Sequence, residues 1–352
     1  MNSRERILAA INHAPLDRVP TDIWATGEVM AKLKAHFGEA ADIKALLRID
    51  GFGGVGPKYI GPPLPAMPPG ESCNEWGMKH KPVNYGTGTY MEQYFHPLAE
   101  ARTIDDLDRY RWPKADWYDF STVADQARLL RPHKAIQAGY MAPFYYHNLT
   151  RGLELSLMDP FDDASFTNAL LDHICDFFYE YHYRLFESAK GMIDVAQVTD
   201  DLGSQTGPLI SLDIFRTFYK PRMQRFIDLC HSFKIKVFHH DDGSCRPFLP
   251  ELVAMGIDIL NPIQHNCPGM DMIELKREFG QKLCFHGAID NQQILPFGTP
   301  QQVRKEVRDA IDALASDDTG YILAPCHNLQ AVSPVENILA MYDEAWNYGK
   351  LG

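Results

Sequence analysis

Val237-Phe238-His239-His240-Asp241-Asp242-Gly243 is an apolar run that breaks abruptly into imidazoles, carboxylates and a glycine. Side chains alternate along an extended chain, so His240 and Asp242 leave one face together. A buried strand that ends this way aims a nitrogen and an oxygen donor at a common point, which suits a divalent metal or an acid/base pair. Tyr321-Ile322-Leu323-Ala324-Pro325-Cys326-His327 ends as abruptly and offers a third ligand or acid. Chemistry carried on strand ends predicts an enzyme whose site lies on one rim of a parallel sheet.

Outward from these two stretches a unit repeats from residue 130 onward: a short β-rich run, then an amphipathic helix. Strands are predicted over 135–141, 192–199, 235–240, 257–261, 283–288 and 321–325. The clearest helix begins after Thr299 as cap, with Pro300 in the first turn, Gln302 as capping partner, and Val303, Val307, Ile311 and Leu314 as its apolar stripe. Strands alternating with helices imply parallel pairing and burial on both faces. Six or more such units in 352 residues favour a (β/α)₈ TIM barrel, an α/β fold, over a doubly wound sheet. No Gly-x-Gly-x-x-Gly comes after a strand, which weakens a dinucleotide-binding reading.

Upstream, Asn2 and Glu5 form a capping-box pattern before Ile7, Leu8 and Ile11, and a first strand is predicted over 18–24. Residues 51–100 are rich in Gly and Pro, with hairpin-like pieces such as Asn84-Tyr85-Gly86-Thr87-Gly88-Thr89-Tyr90. They read as an excursion, a lid or side hairpin, within a single domain spanning 1–352.

Composition narrows the function classes. An apolar fraction of 45% is enough for a sizeable core, and 46 acidic against 34 basic residues argue against sequence-independent nucleic-acid binding. No apolar run approaches the roughly 18 residues that span a bilayer. The start of the chain reads as a polar amphipathic helix and not as a signal peptide. Seven cysteines, odd in number and without CxxC pairing, suit a reduced cytoplasmic protein.

The residues just beyond each predicted strand are consistently polar: Asp200, Asp201 and Gln205; His239, His240 and Asp242; Asn261 and Gln264; His286 and Asp290; Cys326 and His327. Each has a plainer reading. His239 and His240 could be satisfied core histidines, Asp242-Gly243 a turn, and Asp290 a loop anchor. One of Asp200 and Asp201 is expected to cap the helix after their strand, leaving the other to face the cavity. Cys326 and His327 are adjacent, so at most one faces the centre. The Tyr140, Tyr145 and Tyr146 cluster is packing, or lines the rim of a pocket.

On these residues the chain resembles the uroporphyrinogen decarboxylase superfamily, which includes corrinoid- and coenzyme M-dependent methyltransferases. Arg4-Glu5-Arg6-Ile7 through Asp17-Arg18-Val19-Pro20 is similar to that family's N-terminal helix and first strand. His240 through Phe285-His286-Gly287-Ala288-Ile289-Asp290 to Pro334-Val335-Glu336-Asn337 is similar to its C-terminal half. The decarboxylases hold tetrapyrrole carboxylates with an Arg-Gln-Ala-Gly-Arg-Tyr type of motif, whereas Thr21-Asp22-Ile23-Trp24-Ala25-Thr26-Gly27 has no arginine. His327, seven residues before Pro334, matches their late histidine. The methyltransferases bind zinc through His-x-Cys and a distant Cys. Here the corresponding positions are His240, Asp242 and His327, with Cys326 beside the last as an alternative.

The resemblance implies a methyltransferase that moves a methyl group between a small methylated compound, a corrinoid carried on a separate protein, and an acceptor. His240, Asp242 and His327 would hold zinc, or a harder metal such as iron or manganese, with Asp201 as a fourth catalytic residue. Tyr140, Tyr145, Asp200, Gln205 and Asn261 are the expected substrate-binding residues. A homodimer is the family's default. The alternatives are a cofactor-free decarboxylase using His327 and Asp201, and a barrel that binds a tetrapyrrole or corrinoid partner without catalysis.

Overall fold

The computed structural model describes residues 1–86 and 88–351; Thr87, in the hairpin-like stretch from Asn84 to Tyr90, and Gly352 lie outside the described residues. At its centre seven strands pair in chain order: β1 (Phe52–Gly54), β2 (Ala135–Met141), β3 (Val195–Val198), β4 (Lys236–His240), β5 (Ile259–Asn261), β6 (Cys284–Ile289) and β7 (Tyr321–Pro325). Every pairing is parallel. Between successive strands from β2 on, helices cross over and cover the outer face.

The sheet is curled. Thr21 bridges Leu323 next to β7, while its carbonyl accepts the N–H groups of Asp50 and Gly51 just before β1. The predicted first strand over 18–24 is therefore present only as extended chain with isolated bridges at Thr21 and Ala25. Pro20 cannot donate to a ladder, which limits regular pairing there. Below this segment Arg6 and Arg18 converge on the buried Asp50 at 2.6 and 2.8 Å, and the Thr21 N–H donates to the same carboxylate. Three donors on one dry carboxylate fix where the segment enters the sheet.

A period of two along the strands divides the interior into layers. The lower inward layer is apolar: Ala135, Val195, Phe238, Ile259, Cys284 and Ile322 pack against Ile7, Ala10 and Ile11 of α1 (Ser3–Ile11), which plugs that end. Helix α1 carries the expected Asn2–Glu5 capping box. Two residues further along the strands stand Gln137, Gln197, His240, Asn261 and His286. The outer helices bury their stripes against the other sheet face. One of them spans Pro300–Leu314 and is capped by Thr299 and Gln302. Its Val303, Val307, Ile311 and Leu314 side chains are all buried, each contributing roughly 1.5–3 kcal/mol.

One boundary differs from the sequence reading. Phe52–Gly54 belongs to the main sheet and not to the excursion, since it pairs in register with Ala135–Gln137. Two of its three residues are glycine, so no strand signal was available. The excursion itself forms a three-stranded antiparallel sheet of Ser72–Cys73, Lys79–Asn84 and Thr89–Phe95. It lies over the polar end of the main sheet, where the Thr89 N–H donates to Glu28 and Tyr90 pairs with Gln330. No described helix is long and apolar enough to cross a membrane.

Candidate active site

The polar layer contains a chain of hydrogen bonds that ends at His240. Nδ1 of His240 lies 2.5 Å from Oδ1 of Asn261. Nδ2 of Asn261 lies 2.7 Å from Nδ1 of His286, whose Nε2 is 3.1 Å from Oδ2 of Asp22. His286 and Asn261 are completely buried, so the order of donors and acceptors is constrained. Asp22 accepts, which puts the His286 proton on Nε2 and leaves Nδ1 to accept from the Asn261 amide. The Asn261 carbonyl then accepts from His240, and Nε2 of His240 is left as a bare lone pair. Turning the Asn261 amide over would place its oxygen against the His286 carbonyl, now 3.3 Å from Nδ2.

That lone pair faces carboxylates. Nε2 of His240 is 3.7 Å from Asp242 and 3.7 Å from Asp201, and Nε2 of His327 is 3.8 Å from the same Asp242 oxygen. His240, Asp242 and His327 each offer one ligand atom, all within 4.8 Å of one another. Oδ1 of Asp201 is shielded from solvent yet has no hydrogen-bond partner. Burial pushes the Asp242 carboxyl above its usual range, opposed by His240 and His327. Burial likewise lowers His327, opposed by Asp242, so its imidazole is neutral at neutral pH. Trp24 packs beside the group and against the lower apolar layer, its ring centroid 5.6 Å from His240, 6.4 Å, edge-on, from His327 and 6.1 Å from Phe238.

Acceptor atoms facing one another without a donor between them fit a cation. The donor set, two imidazoles and a carboxylate, suits zinc and also harder divalent ions. Ligands at zinc–nitrogen bond lengths stand about 3.3 Å apart in a tetrahedron, so each histidine need close on Asp242 by only about half an ångström from 3.7 and 3.8 Å, within a triad whose ligand atoms all lie within 4.8 Å. The relay through Asn261 and His286 to Asp22 is the outer-shell arrangement that orients a metal-binding histidine.

Other expected site residues are placed differently. Asp200 is buried, and its two oxygens accept the N–H groups of Phe144 and Tyr145 at 2.9 and 2.7 Å. It therefore holds the start of α2 (Pro143–Arg151), the helix that directly follows β2, and not the helix after its own strand. Asn261 is likewise occupied on both amide atoms and positions His240 instead of meeting a ligand. Cys326 is buried with its thiol 3.3 Å from the Ile263 carbonyl, and burial raises that thiol well above its usual range, so His327 and not Cys326 joins the cluster. Gln205 borders a cavity of about 260 Å³ together with Asp242, Gln264, Gln292 and His327. His239 and Asp241 point away from this cluster: His239 bonds the Val198 carbonyl, and Asp241 accepts the N–H groups of Leu202 and Gly203. Asp290 anchors its own loop through Gln292 and Gln293.

Tyr140 lines a second cavity, of about 450 Å³, with Gln137, Gln197, Tyr146 and, from the excursion, Glu75 and Trp76. Tyr145 sits beside it, partly buried at the head of α2. Sequence reasoning missed Asp22, Trp24, Glu75, Gln137 and Gln197. Counting two residues on from each lower-layer position would have found the two glutamines.

The chain matches the family model described as Uroporphyrinogen decarboxylase (URO-D) over residues 81–348. Among solved structures it is similar to a methyltransferase from Methanosarcina mazei, with a TM-score of 0.68 and 21% identity over 99% of either chain. That likeness shows a shared fold. No curated protein matches.

Proposed function

This chain belongs to the uroporphyrinogen decarboxylase family, and from that premise we propose that it is a methyltransferase built on a (β/α)₈ barrel. In this reading the extended chain around Thr21, bonded at both edges of the sheet, serves as the eighth stave. The protein takes a methyl group from a small methylated compound and passes it, by way of a corrinoid on a separate protein, to an acceptor. Seven unpaired, buried cysteines suit a reducing, cytoplasmic setting.

The observation that carries this reading is the convergence of His240, Asp242 and His327, with the lone pair of His240 already fixed by Asn261. These three residues would hold the metal. When bound, such an ion lowers the pKa of a thiol or water enough to supply a nucleophile at neutral pH. Asp201, whose Oδ1 has no hydrogen-bond partner among the described residues and lies 3.7 Å from His240, would take the proton that the acceptor loses. The test is elemental analysis of protein purified without chelator: about one metal per chain, lost in His240→Ala, supports the reading. Metal-free protein defeats it.

A cofactor-free decarboxylase has one observation in its favour, the raised Asp242 carboxyl, which holds its proton closer to neutral pH as a general acid must. Against it, among the described residues neither cavity at this rim is lined by arginine or lysine to hold substrate carboxylates. Metal-free protein that releases carbon dioxide from a small acid would select this second reading.

A further inference from the structure

The larger cavity at the rim has a chemistry of its own. Glu75 lines it, and the one side-chain hydrogen bond of that carboxylate among the described residues comes from the Tyr118 hydroxyl at 2.7 Å. Among the described residues no ion pair neutralises it and no lysine or arginine lines the cavity. The rest of the wall is largely aromatic. The Trp76 ring lies 5.1 Å from Tyr146 and 5.4 Å from Phe178, and Tyr118 lies 4.9 Å from Tyr181. Burial first, and the Glu75 charge second, raise the hydroxyls of Tyr118, Tyr146 and Tyr181, so these rings are neutral phenols. On the same wall Nε2 of Gln137 is buried without a hydrogen-bond partner.

An uncompensated carboxylate among aromatic rings repels anions and gains little from a neutral guest. A cation with apolar substituents gains both from the charge and from the negative ring faces. We propose that this cavity binds a methylated ammonium group, with Glu75 balancing its charge and the surrounding rings packing its methyl groups. The free Gln137 amide serves an oxygen on the same molecule. The inference rests on the methyl-transfer reading only in that it names the class of methyl donor. The cavity reaches the polar layer that holds His240, since Gln137 and Gln197 of that layer line it together with Tyr140.

The experiment is calorimetric titration of the full chain with choline and with 3,3-dimethylbutan-1-ol, in which carbon replaces the charged nitrogen. Choline is expected to bind about tenfold or more tightly than its neutral counterpart, and Glu75→Gln to bring the two within about threefold. Equal binding of the two by the unaltered chain, or no choline binding at millimolar concentration, overturns the proposal. If Glu75→Gln does not fold, Glu75→Asp, which keeps the charge but withdraws it from the rings, is expected to bind choline more weakly while still preferring the cation. Choline affinity unchanged in that folded variant overturns the proposal as well. The titration needs neither metal nor corrinoid, so it separates two failures. Cation binding without methyl transfer defeats the enzyme reading alone, and methyl transfer from a neutral ether without cation binding defeats this one alone.

Discussion

Asn261 and His240 are register partners on adjacent parallel strands, and their side chains meet above that register with Oδ1 2.5 Å from Nδ1. A backbone pairing thus sets a side-chain bond, and the side-chain bond sets which nitrogen of His240 is free. The relay continues through His286 to Asp22, so a residue near the start of the chain determines the protonation of one that lies more than two hundred positions later.

Removing the relay should weaken metal binding without removing a ligand. Asn261→Ala is expected to lower zinc affinity about 10- to 100-fold, the usual cost of losing an outer-shell partner. His240→Ala should abolish stoichiometric binding. Competition with a chromophoric chelator measures both, and an Asn261→Ala protein that binds as tightly as the parent would show that the relay does not orient His240.

Asp50 offers a test of what holds the Asp22 and Trp24 segment in place. Asp50→Ala leaves the buried Arg18 without its carboxylate, while Arg6 keeps Asp17, to which it donates at 2.7 and 2.8 Å. Breaking a buried pair from one side costs about 3–5 kcal/mol. Urea unfolding followed by tryptophan fluorescence should show a loss of that size, and a change below about 1 kcal/mol would mean that Arg18 finds another partner.

The parts of this arrangement that could be read from sequence are those where local pattern and burial agree. The run 321–325 coincides with β7 because a parallel strand buried on both faces is apolar throughout, and 135–141 coincides with β2 because its buried apolar residues outweigh Gln137 and the exposed Tyr140. His240, Asp242 and His327 stood out because each interrupts such a run with a donor. Phe52–Gly54 was hidden by its glycines, whereas the strand expected over 18–24 is only extended chain with bridges at Thr21 and Ala25, because Pro20 limits regular pairing. Asp200 was misread because its partners are the amides of Phe144 and Tyr145, on a helix more than fifty residues earlier. Glu75 and Trp76 lie in a stretch without periodicity, and only tertiary packing brings them over the strand ends.

Gly139 carries a further test of how the larger cavity is shaped. The register between β2 and β3 shifts between Gln137 and Tyr140, and Gly139 takes φ +91° within that irregularity. A Cβ there would lie 2.6 Å from Cδ2 of His182, whose Nε2 accepts the Tyr140 N–H. Gly139→Ala is expected to cost about 1–3 kcal/mol from backbone strain and crowding together, and to move Tyr140 enough to weaken choline binding. A variant with unchanged thermal stability and unchanged affinity would mean that the bulge does not shape the pocket.

His182 itself makes stability depend on pH in a defined direction. It is fully buried, and burial lowers its pKa to about 4 from 6.5, opposed by its bond to the Phe178 carbonyl. Between those two values the unfolded chain binds a proton that the native one refuses, so stability rises with pH across that window and is lost as pH falls through it. The shift corresponds to about 3 kcal/mol at its full extent. His182→Gln keeps a donor for Phe178 and an acceptor for Tyr140 but does not titrate. The buried His147 and the partly buried His13 also have lowered values, and they cancel when parent and variant are compared. The unfolding free energy of the parent should therefore fall relative to that of His182→Gln by up to about 3 kcal/mol between pH 6.5 and 4. A constant difference across this range would show that the imidazole is already charged in the native protein.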